Sequence, residues 1–162
     1  MLDYVDDLRA TVTREARALA ALPDEIARRR PAPGKWSAKE IVGHLVDSAA
    51  NNHQRFVRAQ FQDDLIFSGY AQDRWVTLQR YQDAPWEPLV AFWREYNLHL
   101  ARVMDAVPDA TRLREHARHN LHELAWRTVP QDKPATLDYF MRDYVAHLHH
   151  HLRQIAALLG DR

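Results

Sequence analysis

In the stretch "YVAHLHHHLRQIAALL", residues 144–159, four of the five positions from 147 to 151 are histidine. An imidazole can serve as a base, a hydrogen-bond partner or a metal ligand, so what matters is where each ring points. The apolar helical period continues past the histidines, which makes the run part of the fold and not a terminal tag. At about 100° per residue, Phe140, Tyr144, His151, Ile155 and Leu158 fall within about 80° of His147. His147 and His151 therefore lie inside an apolar stripe. His150 falls at its edge and His149 on the far side.

The same construction around His44 gathers Ser37, Ile41, Ser48, Asn51, Arg55 and Ala59 within roughly 60°, with Leu45 and Asn52 just beyond. Buried polar groups without partners cost on the order of 1–3 kcal/mol each. A face carrying His, Ser, Asn and Arg is thus poor core material but suits the lining of a pocket. An i,i+4 histidine pair sets two imidazoles about one turn apart, close enough to share a cation at ~2.0–2.1 Å per nitrogen. A third histidine from a facing helix would leave the metal's other positions open, as in catalytic sites. The spacing by itself also fits histidines that pack and hydrogen-bond; the polar stripe around His44 is what argues for metal.

These residues need helices to hold them, and the chain supplies four. Only four glycines occur, and the prolines cluster at 23–33, 85–88, 108 and 130–134. Val5, Leu8, Val12, Ala16 and Leu19 predict an amphipathic helix over 2–22. "SAKE" (37–40) is a capping box opening a helix that runs to about Gln60. Trp86, Leu89, Val90, Trp93, Tyr96, Leu100, Met104 and Val107 define one face of a third helix. Thr136 is the expected N-cap of a fourth that ends at Gly160. The expectation is an all-α four-helix bundle in a single domain over 1–162. The connectors at 61–85 and 108–135 are too long for simple hairpins, so at least one should cross the bundle or cover an end.

Composition narrows the function classes. Lys+Arg and Asp+Glu number 22 each, giving a net charge of zero and no electrostatic reason to expect nucleic acid or an anionic membrane. The "RRR" at 28–30 is too small a patch to change that. The absence of cysteine excludes disulfides, thiolate ligands and a cysteine nucleophile. Histidine is then the expected borderline ligand for zinc, nickel, cobalt or iron. The acidic start "MLDYVDDLRA" is unlike a signal peptide, and no apolar run reaches the roughly 18 residues of a membrane span. A cytoplasmic protein acting on a small molecule is the expectation.

"GKWSAKEIVGHLVDSAANNHQRFVRAQ" (34–60), "YAQDRW" (70–75) and "YVAHLHHHLRQI" (144–155) resemble the DinB/YfiT-like family of metalloenzymes. The shared pattern is a Trp-Ser start, His-Leu-x-Asp on the next helix with Arg-Phe about a dozen residues on, and a final-helix His-x-x-x-His pair. The resemblance implies a four-helix bundle in up-down-down-up order, often a homodimer. It also implies a divalent metal (zinc, nickel or iron) held by His44, His147 and His151. Relatives of known activity include transferases using the low-molecular-weight thiols bacillithiol, mycothiol or glutathione, and a mycothiol-dependent isomerase. A metal-dependent thiol S-transferase is the leading expectation; a metal-dependent hydrolase and a non-enzymatic metal- or ligand-binding protein are the alternatives. Gln154 stands where the YfiT branch often has a further histidine. His150 is a rival to His151 on register alone.

Asp47 is a candidate to hold a ligand's second ring nitrogen, or else an acid at the pocket rim. Arg55 is a candidate partner for an anionic thiol or a substrate carboxylate, or else part of a structural ion pair. Asn51, Tyr70 and Trp75 are candidate pocket lining. Tyr144 could donate a proton, although packing is favoured. "HARHNLH" (116–122) reads as a solvated connector, and His53 and His99 as surface residues.

Overall fold

In the computed structural model, which describes residues 2–160, four long helices carry one shared hydrophobic core. They are α1 (Asp3–Ala20), α3 (Ala38–Arg58), α5 (Trp86–Asp105) and α8 (Leu137–Gly160), each within a few residues of its sequence-derived span. Short helices α2 (Asp24–Ala27), α4 (Gln72–Leu78), α6 (Asp109–Arg112) and α7 (Leu121–Leu124) occupy the connections, and no strand occurs among the described residues.

The local signals act as expected where they were strongest. Ser37 Oγ accepts from the Glu40 N–H at 3.2 Å, and Glu40 accepts in return from the Ser37 N–H at 2.9 Å. Arg30 clamps the Glu40 carboxylate from outside, which fixes the start of α3. The Tyr139 N–H donates to Thr136 Oγ1 at 3.1 Å at the start of α8. Val5, Leu8, Val12, Ala16 and Leu19 are all buried. On α5 the face is rotated slightly. Tyr96 is only half-buried, and Asn97, fully buried, takes the central place. Its amide donates to the Trp93 carbonyl (2.8 Å) and accepts from the Tyr144 hydroxyl (2.6 Å), which satisfies a polar side chain in the core. Tyr144 is thus a packing residue whose hydroxyl is already engaged.

α1 packs against α5 and α8, and α3 packs against the same two helices, which closes the ring. Arg9 meets Asp105 while Leu19 accepts from Trp86, so α1 and α5 are antiparallel. Tyr4 reaches Asp138 and Asp7 reaches His149, so α1 and α8 run parallel. Phe56 meets Phe140 and Tyr144 at one level while His44 meets His147 and His151 at another. α3 and α8 are therefore antiparallel, and their facing stripes share one axial stretch.

The two long connectors pair with each other. The Leu65 N–H donates to the Arg118 carbonyl and the Asn120 N–H to the Leu65 carbonyl, while the Asn120 side chain holds both polar groups of the Phe67 backbone. Phe67 stacks on Phe140, laying the 61–85 connector across α8. "HARHNLH" is mostly non-helical and only partly solvated: Ala117 and Arg118 are exposed, but His116 and His119, against expectation, are 3% and 4% exposed. His116 Nδ1 is paired with the Asp63 carbonyl and His119 Nε2 with the Lys133 carbonyl.

Candidate metal centre

α3 and α8 bring His44, His147 and His151 together: one nitrogen from each lies within 4.8 Å of the other two. The ring centroids are 5.4 Å (His44–His147), 4.7 Å (His44–His151) and 4.5 Å (His147–His151) apart. His147 Nε2 and His151 Nε2 approach to 2.9 Å. A cation at ~2.0–2.1 Å from each nitrogen needs pairs closer than about 4.2 Å, so a small inward shift of the widest pair suffices.

Burial, and after it the proximity of the other imidazoles, pushes His44 and His147 down to about 3. Burial likewise lowers His151, opposed by its hydrogen bond to Gln154. All three rings are therefore neutral at pH 7, the state a metal requires. His151 Nδ1 lies 2.7 Å from Gln154 Oε1. Because a carboxamide oxygen can only accept, Nδ1 carries the proton and Nε2 faces the cluster. His44 is 1% exposed, and neither of its ring nitrogens has a hydrogen-bond partner. A buried imidazole with two orphaned nitrogens is costly unless something else binds it. The residues fit a cation.

The cluster forms part of the wall of a cavity of about 740 Å³ that also takes in Ser48, Asn52, Arg55, Tyr70, Trp126, Asp143 and His150. Trp36 lies over His44 with ring centroids 5.0 Å apart, and Trp126 lies 6.4 Å from His147 and 5.2 Å from His150. The Asp143 carboxylate accepts the Trp126 and Arg127 N–H groups at 2.8 Å each, which anchors the connector bearing Trp126.

The other candidates divide. Arg55 and Tyr70 line the cavity. Burial raises the Tyr70 phenol to about 12. Trp75 packs on Tyr70 at 5.0 Å and does not line the cavity itself. Asn51 lies outside it, donating to the Asp47 carbonyl and lining a smaller cavity beside Arg58 and Gln62. Asp47 does not reach an imidazole: its Oδ1 accepts from the Tyr81 hydroxyl and from Gln79, both at 2.6 Å. That contact holds the Tyr81 ring against Gly43, where a Cβ would lie 2.2 Å from ring carbons. His53 is half-buried and meets Tyr96 and His99 on the outer face of α3 and α5. Trp36, Trp126, Asp143 and the His151–Gln154 contact were not anticipated as parts of the site. Only the last had a usable signal, three residues apart on one helix.

A helical bundle with three clustered histidines at an open cavity defines a class of candidate metalloproteins. The sequence profile of the DinB superfamily matches residues 7–155, and the chain belongs to that superfamily. Among solved structures, YfiT from Bacillus subtilis is similar, with a TM-score of 0.76 at 20% identity, covering 96% of this chain and 83% of that one. YfiT is described as a probable metal-dependent hydrolase with an unusual four-helix bundle topology. A search of curated proteins finds no match. No helix among the described residues is long and apolar enough to cross a membrane.

Proposed function

We propose that the protein is a divalent-metal-dependent enzyme. Its cation is held by His44, His147 and His151, and its reaction is S-transfer from a low-molecular-weight thiol to a small electrophile. The observation that carries the metal is His44, buried with both ring nitrogens unpartnered in the wall of the cavity. Three neutral imidazoles suit zinc, nickel or iron. When bound, such a cation supplies positive charge that lowers the pKa of a thiol or water entering the open side.

The remaining residues favour thiol over water. A thiol, with a pKa near 8.5, needs only a modest shift and no base. Hydrolysis also needs groups that move protons to the leaving atom. The carboxylates of the cavity are poorly placed for that: Asp143 is committed to two backbone N–H groups, and Asp73 and Glu123 are exposed. Gln154 fixes the tautomer of His151, and Trp36 and Trp126 shield the ligands.

Metal-assisted hydrolysis is the second reading. The likeness to YfiT favours it, as does His150, which lines the cavity with its ring 5.2 Å from that of His151 and could accept a proton. Elemental analysis of untagged protein, then conjugation of a thiol panel with chlorodinitrobenzene beside turnover of a nitrophenyl ester, separates the two. Thiol-dependent conjugation lost in His147→Ala supports S-transfer. Thiol-independent ester cleavage lost in the same variant would replace it with hydrolysis.

A further inference from the structure

Among the described residues, three lysine or arginine side chains are buried: Lys39, Arg55 and Arg112. Two have acidic partners. Lys39 pairs with Asp24 at 2.5 Å, and Arg112 pairs with Asp109 at 2.8 Å and with Asp138. Arg55, 6% exposed, has none. Its Nη2 donates to the Ser68 carbonyl at 2.8 Å and its Nη1 to Asn52 Oδ1 at 3.4 Å, both neutral acceptors. Guanidinium stays charged in proteins, and a buried charge without a counter-charge is strongly disfavoured.

The side chain lines the same cavity as the histidines. The cavity's one buried acid, Asp143, is occupied by backbone N–H groups, so the missing negative charge is not supplied by the protein. Five donors in a planar fork leave N–H groups to spare, and that fork matches carboxylate or phosphate oxygens two at a time.

We propose that the cavity binds an elongated organic oxyanion, its carboxylate or phosphate seated on Arg55 and its reacting end at the histidine cluster. The reacting end rests on the metal reading above; the anion seat does not. Eleven residues separate His44 from Arg55 on α3 and return to nearly the same face. The Cα atoms are about 16 Å apart along the axis, and the arginine leans back toward the N-terminus. The two ends of the ligand are thus on the order of 10 Å apart.

Calorimetry on zinc-loaded protein with three probes built on the same six-carbon chain tests this: ω-mercaptohexanoate, ω-mercaptohexyl phosphate and ω-mercaptohexanol. At least one anionic probe should bind about tenfold to a hundredfold more tightly than the alcohol, as a charge-assisted pair implies, and which one does so identifies the anion. Arg55→Met should erase the preference while leaving zinc content and the affinity for the alcohol unchanged. Arg55→Lys, which keeps the charge without the fork, should retain part of it and covers the case in which Arg55→Met fails to fold. Equal affinity for all three probes, or a preference that survives Arg55→Met, overturns the proposal. On protein that takes up no zinc, hexanoate against hexanol reads the same ratio, so failure of the metal reading and failure of the anion seat are separate results.

Discussion

Two histidine trios in this chain, one local to a connector and one assembled from two helices, have different surroundings. In the connector, His119 uses both ring nitrogens, Nε2 with the Lys133 carbonyl and Nδ1 with the Leu121 N–H, and His116 uses Nδ1 with the Asp63 carbonyl. His122 stands apart, its ring 6.3 Å from that of His119. In the bundle, His44, His147 and His151 converge to 4.5–5.4 Å between rings, and His44 has no hydrogen-bond partner at all. Hydrogen bonds to the backbone consume an imidazole's capacity for ligation. A free nitrogen alone does not mark a candidate ligand, since His116 Nε2 and His122 Nδ1 are also unpartnered. What sets the bundle trio apart is convergence, with one nitrogen from each of its three rings within 4.8 Å of the others. In the connector His116 and His119 staple loops, whereas the bundle trio brings its nitrogens together at the cavity wall.

The sharpest way to break this contrast is to delete one member of each set. His147→Ala should lose all stoichiometric metal by elemental analysis while keeping its helical circular dichroism. His119→Ala should keep the metal. Metal retained in His147→Ala would remove the ligand assignment.

Next in size is the support of a proposed ligand. Gln154→Leu removes the acceptor that holds the His151 tautomer and should weaken metal binding about 10–100-fold in a chelator competition. An unchanged affinity would mean that His151 is held by packing alone.

The connector trio should show its role in stability instead. His119→Ala strands the Leu121 N–H and the Lys133 carbonyl and should cost about 1–3 kcal/mol in urea unfolding. A loss of metal affinity in that variant would erase the distinction between the two sets.

Much of this was legible in the sequence because it is local. Proline clusters, the Ser37–Glu40 box and the 3.6-residue period fix the four helices and place His44, His147 and His151 on inward faces. The rest depends on contacts between distant segments. The Leu65–Arg118 and His116–Ala135 pairings leave no periodic trace, so the buried His116 and His119 read as solvated. Asp47 lies one turn after His44, which suggests a bond to an imidazole, but Tyr81 and Gln79, more than 30 residues on, claim its oxygen. Asn51 shares the stripe of His44 by angle, yet its amide turns back to the Asp47 carbonyl. Gln154 reads as a missing histidine until the contact with His151 gives it a purpose.

The smallest effect separates the trios by sign. In metal-free protein, His44→Leu removes two buried nitrogens without partners and should raise stability by about 1 kcal/mol at pH 7.5, whereas His119→Ala lowers it. The gain should grow as the pH falls. His44 titrates at about 3 when folded but near 6.5 when unfolded. Between those values the unfolded chain binds a proton that the folded chain refuses, so wild-type stability falls progressively on acidification below about pH 6.5. Leucine has no proton to take up, and urea unfolding of the variant at pH 5 should show a wider margin over wild type than at pH 7.5. A constant margin would mean that the folded site accepts a proton on His44. A loss of stability at both pH values would mean that His44, like His119, is a structural histidine.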